Sequence, residues 1–228
     1  MIQVGNEVTN GLLWPEGLKP NYDNIARFIS SGIRACRAVK PEIPLMIHLD
    51  NGGNNEMYRD WFDHYMERGE DFDYIGLSYY PFWHGTLQML EDNMNDMAAR
   101  YGKELIVAEV SMGYTMEDYK QYEKLKDSER KGYATKPELV AKIEYPMTAD
   151  FTKDFLNRVA HVRDNKGLGF FWWEPAWIPV HGSGWATPAS LKYMNDPGPC
   201  GNEWANQALF DYDGNVLPAL EVIRDFRK

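Results

Sequence analysis

Two short apolar runs of this chain each end abruptly at a glutamate. The run Ile2–Gly5 leads to Glu7, and the run Leu105–Ala108 leads to Glu109. Runs of this kind are typical of buried parallel strands that carry a side chain to the open edge of an α/β sheet. In a (β/α)8 barrel, catalytic side chains lie at that edge, which we call the catalytic rim. We therefore expect the two glutamates to meet at one rim.

Strand-like runs alternate with segments of helical period along the chain. The alternation predicts one α/β domain over residues 1–228, built from parallel βα units with right-handed crossovers. Asn21 is the predicted N-cap of the first helix. The predicted strands are Ile2–Gly5, Leu45–Leu49, Tyr74–Tyr79, Leu105–Ala108 and Gly169–Trp173. Apolar residues at helical spacing predict four packing faces. These faces contain Ile25, Phe28, Ile29, Cys36 and Val39; Met57, Tyr58, Trp61, Phe62, Tyr65 and Met66; Leu87, Leu90, Met94, Met97 and Tyr101; and Phe151, Phe155, Val159 and Val162.

Composition restricts the classes of partner. The net charge of −10 argues against nucleic acid and against anionic membrane surfaces. No apolar stretch approaches the ~20 residues that a membrane span needs. The two cysteines, Cys36 and Cys200, form no disulfide framework, and we expect their Cα atoms to lie beyond the ~7 Å limit for a disulfide.

Two carboxylates on strand ends are what a retaining glycosidase requires. Such enzymes hold a proton donor and a nucleophile about 5–5.5 Å apart. We assign Glu7 as the general acid/base and Glu109 as the nucleophile, with Asn6 donating a hydrogen bond to the sugar 2-hydroxyl. The alternative for the tripeptide 5–7 is a strand-end turn with a capping role.

Further polar and aromatic residues follow the other predicted strands. Aromatic faces stack on sugar rings, although they also pack at rims. His48 and Asp50, without a third candidate ligand, do not predict a metal site and fit contacts to sugar hydroxyls better. The residues predicted to bind substrate are Asn6, His48, Asp50, Tyr79, Tyr80, Trp83, His84, Trp173, Glu174 and Trp177.

Six ordered segments carry a family resemblance over nearly the whole chain. They are Val4–Glu7 with Asn10–Gly17, Ile75–Gly85, Val107–Glu109, Trp173–Pro179, Gly182–Thr187 and Asn206–Asp211. Together they resemble glycoside hydrolase family 53, the endo-β-1,4-galactanases.

The resemblance implies a clan A (β/α)8 TIM barrel with the acid/base, Glu7, on strand four and the nucleophile, Glu109, on strand seven. The five predicted strands then correspond to strands four to eight with their helices. We expect the first three βα units, and a family arginine near the nucleophile, to be missing, and Met1 not to be a natural start. Some family members bind calcium in the loop after the nucleophile. Asp118–Lys124 places lysines and a tyrosine there, so we expect no calcium site and no other cofactor.

The resemblance also implies an activity: retaining endo-β-1,4-galactanase action on galactan or arabinogalactan side chains of pectin. Because the polymer cannot enter a cell, we expect an extracellular or periplasmic enzyme, monomeric when complete. One alternative is another clan A endo-glycanase, of mannanase or xylanase type. The other is an inactive partial barrel whose uncovered strand edges make the chain associate.

Overall fold

The computed structural model describes residues 1–115, 117, 149–179, 187–195 and 204–226. The stretch 118–124 and Cys200 lie outside the described residues. The expectations about calcium and about the cysteine separation therefore stay predictions.

Five strands form one sheet whose spatial order follows the chain. Neighbouring strands from β1 to β4 pair in parallel, as the alternation of strands and helices predicts. The strands are β1 (Ile2–Gln3), β2 (Leu45–Leu49), β3 (Tyr74–Tyr79), β4 (Glu104–Val110) and β5 (Gly167–Trp172).

Seven α-helices are described in the same part of the chain. They are α1 (Tyr22–Val39), α2 (Asn55–Met66), α3 (Pro81–His84), α4 (Leu87–Tyr101), α5 (Ala149–Ala160), α6 (Pro188–Tyr193) and α7 (Pro218–Asp225). Three short 3-10 helices lie at Val8–Asn10, Arg163–Asn165 and Ala205–Gln207. The predicted N-cap is confirmed, since the Asn21 side chain accepts a hydrogen bond from the backbone N–H of Asn24.

The chain divides into two compact units. The first unit contains residues 1–110 and 156–171, and the second contains residues 111–155 and 172–228. The first unit therefore carries the whole sheet except the last residue of β5. In the second unit, the Ser111 hydroxyl donates a 2.6 Å hydrogen bond to Oε1 of Gln207.

The core of the first unit lies between the sheet and its helices. The helices contribute apolar faces with the predicted spacing, and Trp61 of α2 stacks on Tyr65 with ring centroids 5.4 Å apart. One predicted packing residue is wrong: Val39 is 89% exposed. It is the last residue of α1 and lies beyond the turns that bury Ile25, Ile29 and Ile33.

The strand bounds agree with the sequence except at one end of β1 and at both ends of β4 and β5. β2 and β3 have the predicted limits. β1 is shorter than predicted, because Gly5 turns the chain with a φ of +84°. β4 continues through Val110, which places Glu109 inside the strand rather than after it, and β5 ends before Trp173.

Candidate active site

Glu7 lies in the turn that follows β1. Its backbone is left-handed, with φ 47° and ψ 51°, immediately before the 3-10 helix Val8–Asn10. Non-glycine residues adopt this conformation rarely, and it is concentrated at functional sites. The side chain of Glu7 makes no capping hydrogen bond to the helix. Its Oε1 instead accepts a 2.6 Å hydrogen bond from the Ser78 hydroxyl, so the capping alternative has no support in the structure.

The segment after Glu7 is held by the helical layer. The indole Nε1 of the fully buried Trp61 donates a 3.1 Å hydrogen bond to the carbonyl oxygen of Val8. Buried indole N–H groups usually find a partner of this kind. The contact fixes the backbone next to Glu7 against α2.

Glu109 reaches the site through an irregularity in the sheet. Leu77 pairs with Val107, but Ser78 pairs with Glu109, so the register skips Ala108. A bulge of this type re-aims the side chains that follow it. Glu109 is 8% exposed, and its Oε2 accepts a 2.7 Å hydrogen bond from the hydroxyl of Tyr80.

The environment of Glu109 favours its neutral form. Burial raises the pKa of Glu109, the hydrogen bond from Tyr80 acts in the opposite direction, and the charge of Glu7 raises it further. An acid/base pair is expected to have its two pKa values pushed apart by environment. For Glu109 the direction is upward, which is opposite to what its predicted role as nucleophile requires, and the hydrogen bond from Tyr80 is the contact that favours the ionised form.

The two glutamates meet at one rim. A carboxylate oxygen of Glu7, one of Glu109 and a ring nitrogen of His48 all lie within 4.8 Å of one another. Inverting glycosidases leave about 6.5–9.5 Å between their carboxyl groups so that a water fits between them. The observed proximity suits direct attack by one carboxylate better than attack by an intervening water.

A series of hydrogen-bonded polar groups leads away from Glu7, and its members Ser78 and His48 are buried. The Ser78 hydroxyl lies 2.8 Å from Nε2 of His48, and Nδ1 of His48 lies 3.0 Å from the amide nitrogen Nε2 of Gln3. The same Gln3 amide donates to Oδ1 of Asn6 at 2.9 Å. With Oδ1 occupied, the Nδ2 group of Asn6 is the part available to donate to a substrate.

These contacts bear on whether Glu7, His48 and Glu109 could hold a metal ion. Carboxylates and imidazoles are common metal ligands, and the oxygen and nitrogen atoms of these three side chains lie close together. Both ring nitrogens of His48 already have partners, so a metal would have to break the contact with Ser78 or that with Gln3. We therefore propose that this cluster acts without a metal.

The remaining predicted residues of the first unit have different surroundings. Asp50 accepts from the hydroxyl of Thr9. Tyr79 is fully buried and its hydroxyl donates a hydrogen bond to the carbonyl of Gly85, so it presents no surface to a substrate, contrary to its predicted role in binding. His48 is also fully buried, which leaves it a role behind Glu7 rather than in contact with a sugar.

Trp83 and His84 line a cleft of about 590 Å³ beside the rim. Trp83 is 54% exposed. Polar walls come from the loop after β2 and from α4, including Asn51, Asn54 and Asp92. An exposed indole with amide and carboxylate groups around it is a surface on which a sugar can stack and form hydrogen bonds.

Trp173, Glu174 and Trp177 belong to the second unit. They lie in a turn after β5, where Glu174 has a left-handed φ of 52° and its carbonyl accepts from the N–H of Trp177. Trp173 is about half exposed. Their predicted contact with substrate stays a prediction.

Two residues of the site were missed by the sequence reasoning, Gln3 and Ser78. Strand alternation carried a signal for Ser78, because Ser78 and Tyr80 are two residues apart in extended backbone at the end of β3 and their side chains therefore lie on the same side. No comparable signal marks Gln3, which is an ordinary polar residue on an edge strand.

Comparisons with known proteins show which family the sequence matches. The sequence profile described as Glycosyl hydrolase family 53 matches residues 1–223. An uncharacterised protein in the bgaB 5′ region of Niallia circulans is 37% identical over 98% of this chain and 59% of its own length. An endo-β-1,4-galactanase of Bacillus subtilis is 33% identical over 98% of this chain and 54% of its own length.

A solved structure supports the fold. The GH53 catalytic domain of Ignisphaera aggregans aligns with a TM-score of 0.82 and 33% identity, over 97% of this chain and 57% of that one. With the parallel sheet, this similarity confirms the predicted (β/α)8 fold class. The chain spans less than two thirds of the length of these relatives. Within the described residues, every helix is too short or too polar to cross a membrane.

Proposed function

Because the chain belongs to glycosyl hydrolase family 53, we propose that the protein hydrolyses internal β-1,4-galactosyl bonds of galactan or arabinogalactan, as in pectin side chains, with retention of configuration. The observation that carries this proposal is the meeting of Glu7 and Glu109 within 4.8 Å at one rim. The name of the Bacillus subtilis relative supports the choice of polymer.

In the first step the Glu109 carboxylate attacks the anomeric carbon. The bond from that carbon to the leaving sugar oxygen breaks, and the proton of Glu7 moves to that oxygen. The products are a galactosyl ester on Glu109, a free hydroxyl on the released chain and an ionised Glu7.

In the second step a water oxygen attacks the same carbon from the face that the leaving group vacated. Glu7 takes the proton of the water, and the bond from the anomeric carbon to Glu109 breaks. Two inversions give net retention, and both carboxyl groups return to their starting forms.

Exposed side chains around Glu7 and Glu109 are the proposed contacts to the substrate. We propose that Nδ2 of Asn6 donates to the 2-hydroxyl of the reacting sugar, where a hydrogen bond strengthens in the transition state. Trp83, His84 and the cleft that they line would hold a further sugar of the chain, and Asp50 would support the rim. Trp173, Glu174 and Trp177 are proposed as additional sugar contacts from the second unit.

The proposed substrate also indicates where the protein acts, because a polysaccharide cannot enter a cell. We propose that the protein acts outside the cytoplasm, without a cofactor, and that the complete enzyme is a monomer. Galactan is the proposed partner, with no nucleic acid or membrane partner.

Comparative hydrolysis of three polysaccharides tests the proposed substrate. Release of reducing sugars from β-1,4-galactan, with little from mannan or xylan, is the expected result. Preferential cleavage of mannan or xylan would replace this proposal with that of another endo-glycanase. No release from any of the three would support an inactive barrel.

Substitution tests the roles of the two glutamates. Glu109→Ala should abolish turnover, and azide should then yield the α-galactosyl azide by direct displacement. Azide added to Glu7→Ala should give the β-azide, because Glu109 still forms the ester. Glu104→Ala is the matched control, since it removes a glutamate from the opposite end of the same strand.

A further inference from the structure

Ser78 and His48 take no part in the two chemical steps, yet both are fully buried and both connect to Glu7. Buried polar groups are costly unless they are hydrogen-bonded. The hydroxyl of Ser78 satisfies this condition on both sides, with Oε1 of Glu7 at 2.6 Å and Nε2 of His48 at 2.8 Å.

The donor of each hydrogen bond between Gln3 and Glu7 can be assigned, because each group can only donate or accept what its neighbour leaves open. Since the Ser78 hydroxyl donates to Glu7, its oxygen is free to accept, and Nε2 of His48 must carry a proton to donate to it. Nδ1 of His48 then accepts from the Gln3 amide, which is a donor at 3.0 Å. The three contacts that join Gln3, His48, Ser78 and Glu7 therefore point toward Glu7. Oδ1 of Asn6, which also lies 3.2 Å from Nδ1 of His48, accepts from the Gln3 amide instead.

The charge state of His48 is consistent with this direction. Burial lowers the pKa of His48 to about 4, and the charge of Asp50, on the same segment, acts in the opposite direction. The other charged groups that face the ring are Glu7 and Glu109, both within 4.8 Å. A neutral ring has one donor nitrogen and one acceptor nitrogen, as the chain requires.

We propose that Ser78, held by His48, is a positioning residue that gives the two oxygens of Glu7 different tasks. Oε1 is kept as an acceptor for the Ser78 hydroxyl. Oε2 therefore carries the proton and presents it to the leaving oxygen. After the transfer, the same hydrogen bond stabilises the ionised carboxylate.

This inference rests on the proposed role of Glu7 as the acid and predicts a specific kinetic signature. Protonation matters when the leaving group is a poor one, such as a sugar alcohol, and matters little when it is an acidic phenol. Loss of Ser78 should therefore slow the first step by an amount that depends on the leaving group, without weakening substrate binding. Because Glu7 is also the base of the second step, kcat/KM is the parameter that reports the first step on every substrate.

The kinetic test compares Ser78→Ala with the unaltered protein on galactan and on aryl β-galactobiosides whose phenols differ in acidity. We expect kcat to fall on the order of 10- to 100-fold on galactan, from the strength of hydrogen bonds to charged groups, with KM nearly unchanged. On the dinitrophenyl glycoside kcat/KM should fall less than about threefold, because an acidic phenol leaves without a proton. An equal fall on all substrates would overturn the proposal.

Ser111→Ala is the matched control. It also removes a buried serine hydroxyl with a 2.6 Å partner, but that partner is Gln207 and not a catalytic carboxylate. It should lower stability without making the rate depend on the leaving group. The same leaving-group dependence in both variants would show that Ser78 has only a structural role.

A second measurement does not depend on turnover. Nitrogen-15 NMR of the labelled protein, with the His48 signal assigned from a His48→Gln variant, reports which ring nitrogen carries the proton. We expect the neutral Nε2–H form at pH 7. An imidazolium, or the Nδ1–H form, would overturn the proposal, because Ser78 would then not be bound as an acceptor. Absence of galactan hydrolysis with the expected tautomer would count against the proposed function but not against this arrangement.

Discussion

The hydroxyl of Tyr80 donates a 2.7 Å hydrogen bond to Oε2 of Glu109. Tyr80 precedes the short helix α3, whereas Glu109 lies in β4, and the skipped residue Ala108 brings the two side chains to the same side of the sheet. The contact opposes the effect of burial, which raises the pKa of this carboxyl.

Removing that hydroxyl should shift the pH profile. In Tyr80→Phe the pKa of Glu109 should rise further, so the acid limb of kcat/KM should move upward by about one to two pH units, as expected for a hydrogen bond to a charged group. Tyr79→Phe is the matched control, because the Tyr79 hydroxyl contacts the Gly85 carbonyl instead. A profile that stays in place in Tyr80→Phe would contradict this role for Tyr80.

The buried His48 should make folding sensitive to acid. An unfolded chain binds a proton on this ring below the ordinary pKa of 6.5, whereas the folded chain does so only near pH 4. The stability that depends on the neutral ring is therefore complete above pH 6.5 and is lost as the pH falls toward 4, by about 3 kcal/mol.

Urea unfolding across that pH range measures the effect. His48→Gln should be less stable than the unaltered protein at pH 7, because it disturbs the contact with Ser78, but its stability should fall less between pH 6.5 and 4. Parallel curves for the two proteins would show that His48 is not the group responsible.

Trp83 should contribute to binding and little to folding. Because its indole is half exposed, Trp83→Ala should leave the free energy of unfolding nearly unchanged. KM for galactan should rise about 2- to 10-fold, the size expected for a lost aromatic contact. Trp83→Phe keeps an aromatic face and should restore most of the affinity. A fall in stability with no change in KM would assign Trp83 to rim packing.

The sheet edges predict association. Ile2 of β1 and Phe171 of β5 lie at the two ends of the sheet order and are 39% and 53% exposed. Exposed apolar side chains on strand edges favour pairing between copies. Size-exclusion chromatography of the 228-residue chain should therefore show oligomers. A stable monomer would contradict this expectation.

The sequence was sufficient to predict the elements but not their fine geometry. β2 and β3 have the predicted bounds because each is an apolar run with a clear end. Tyr80 contacts Glu109 and Tyr79 does not, because side chains alternate at the end of β3, and this two-residue period can be read from the sequence. The register skip at Ala108 and the left-handed backbone of Glu7 depend on tertiary pairing, which a single sequence does not encode locally.

The central claim is that Glu109 attacks the sugar and Glu7 supplies the proton. Incubation with a 2-deoxy-2-fluoro-galactobiosyl fluoride slows breakdown of the ester, so that tandem mass spectrometry can locate it. We predict a single added glycosyl group on Glu109 and none in Glu109→Ala. A label on Glu7, or turnover with inverted product and no label, would contradict the account.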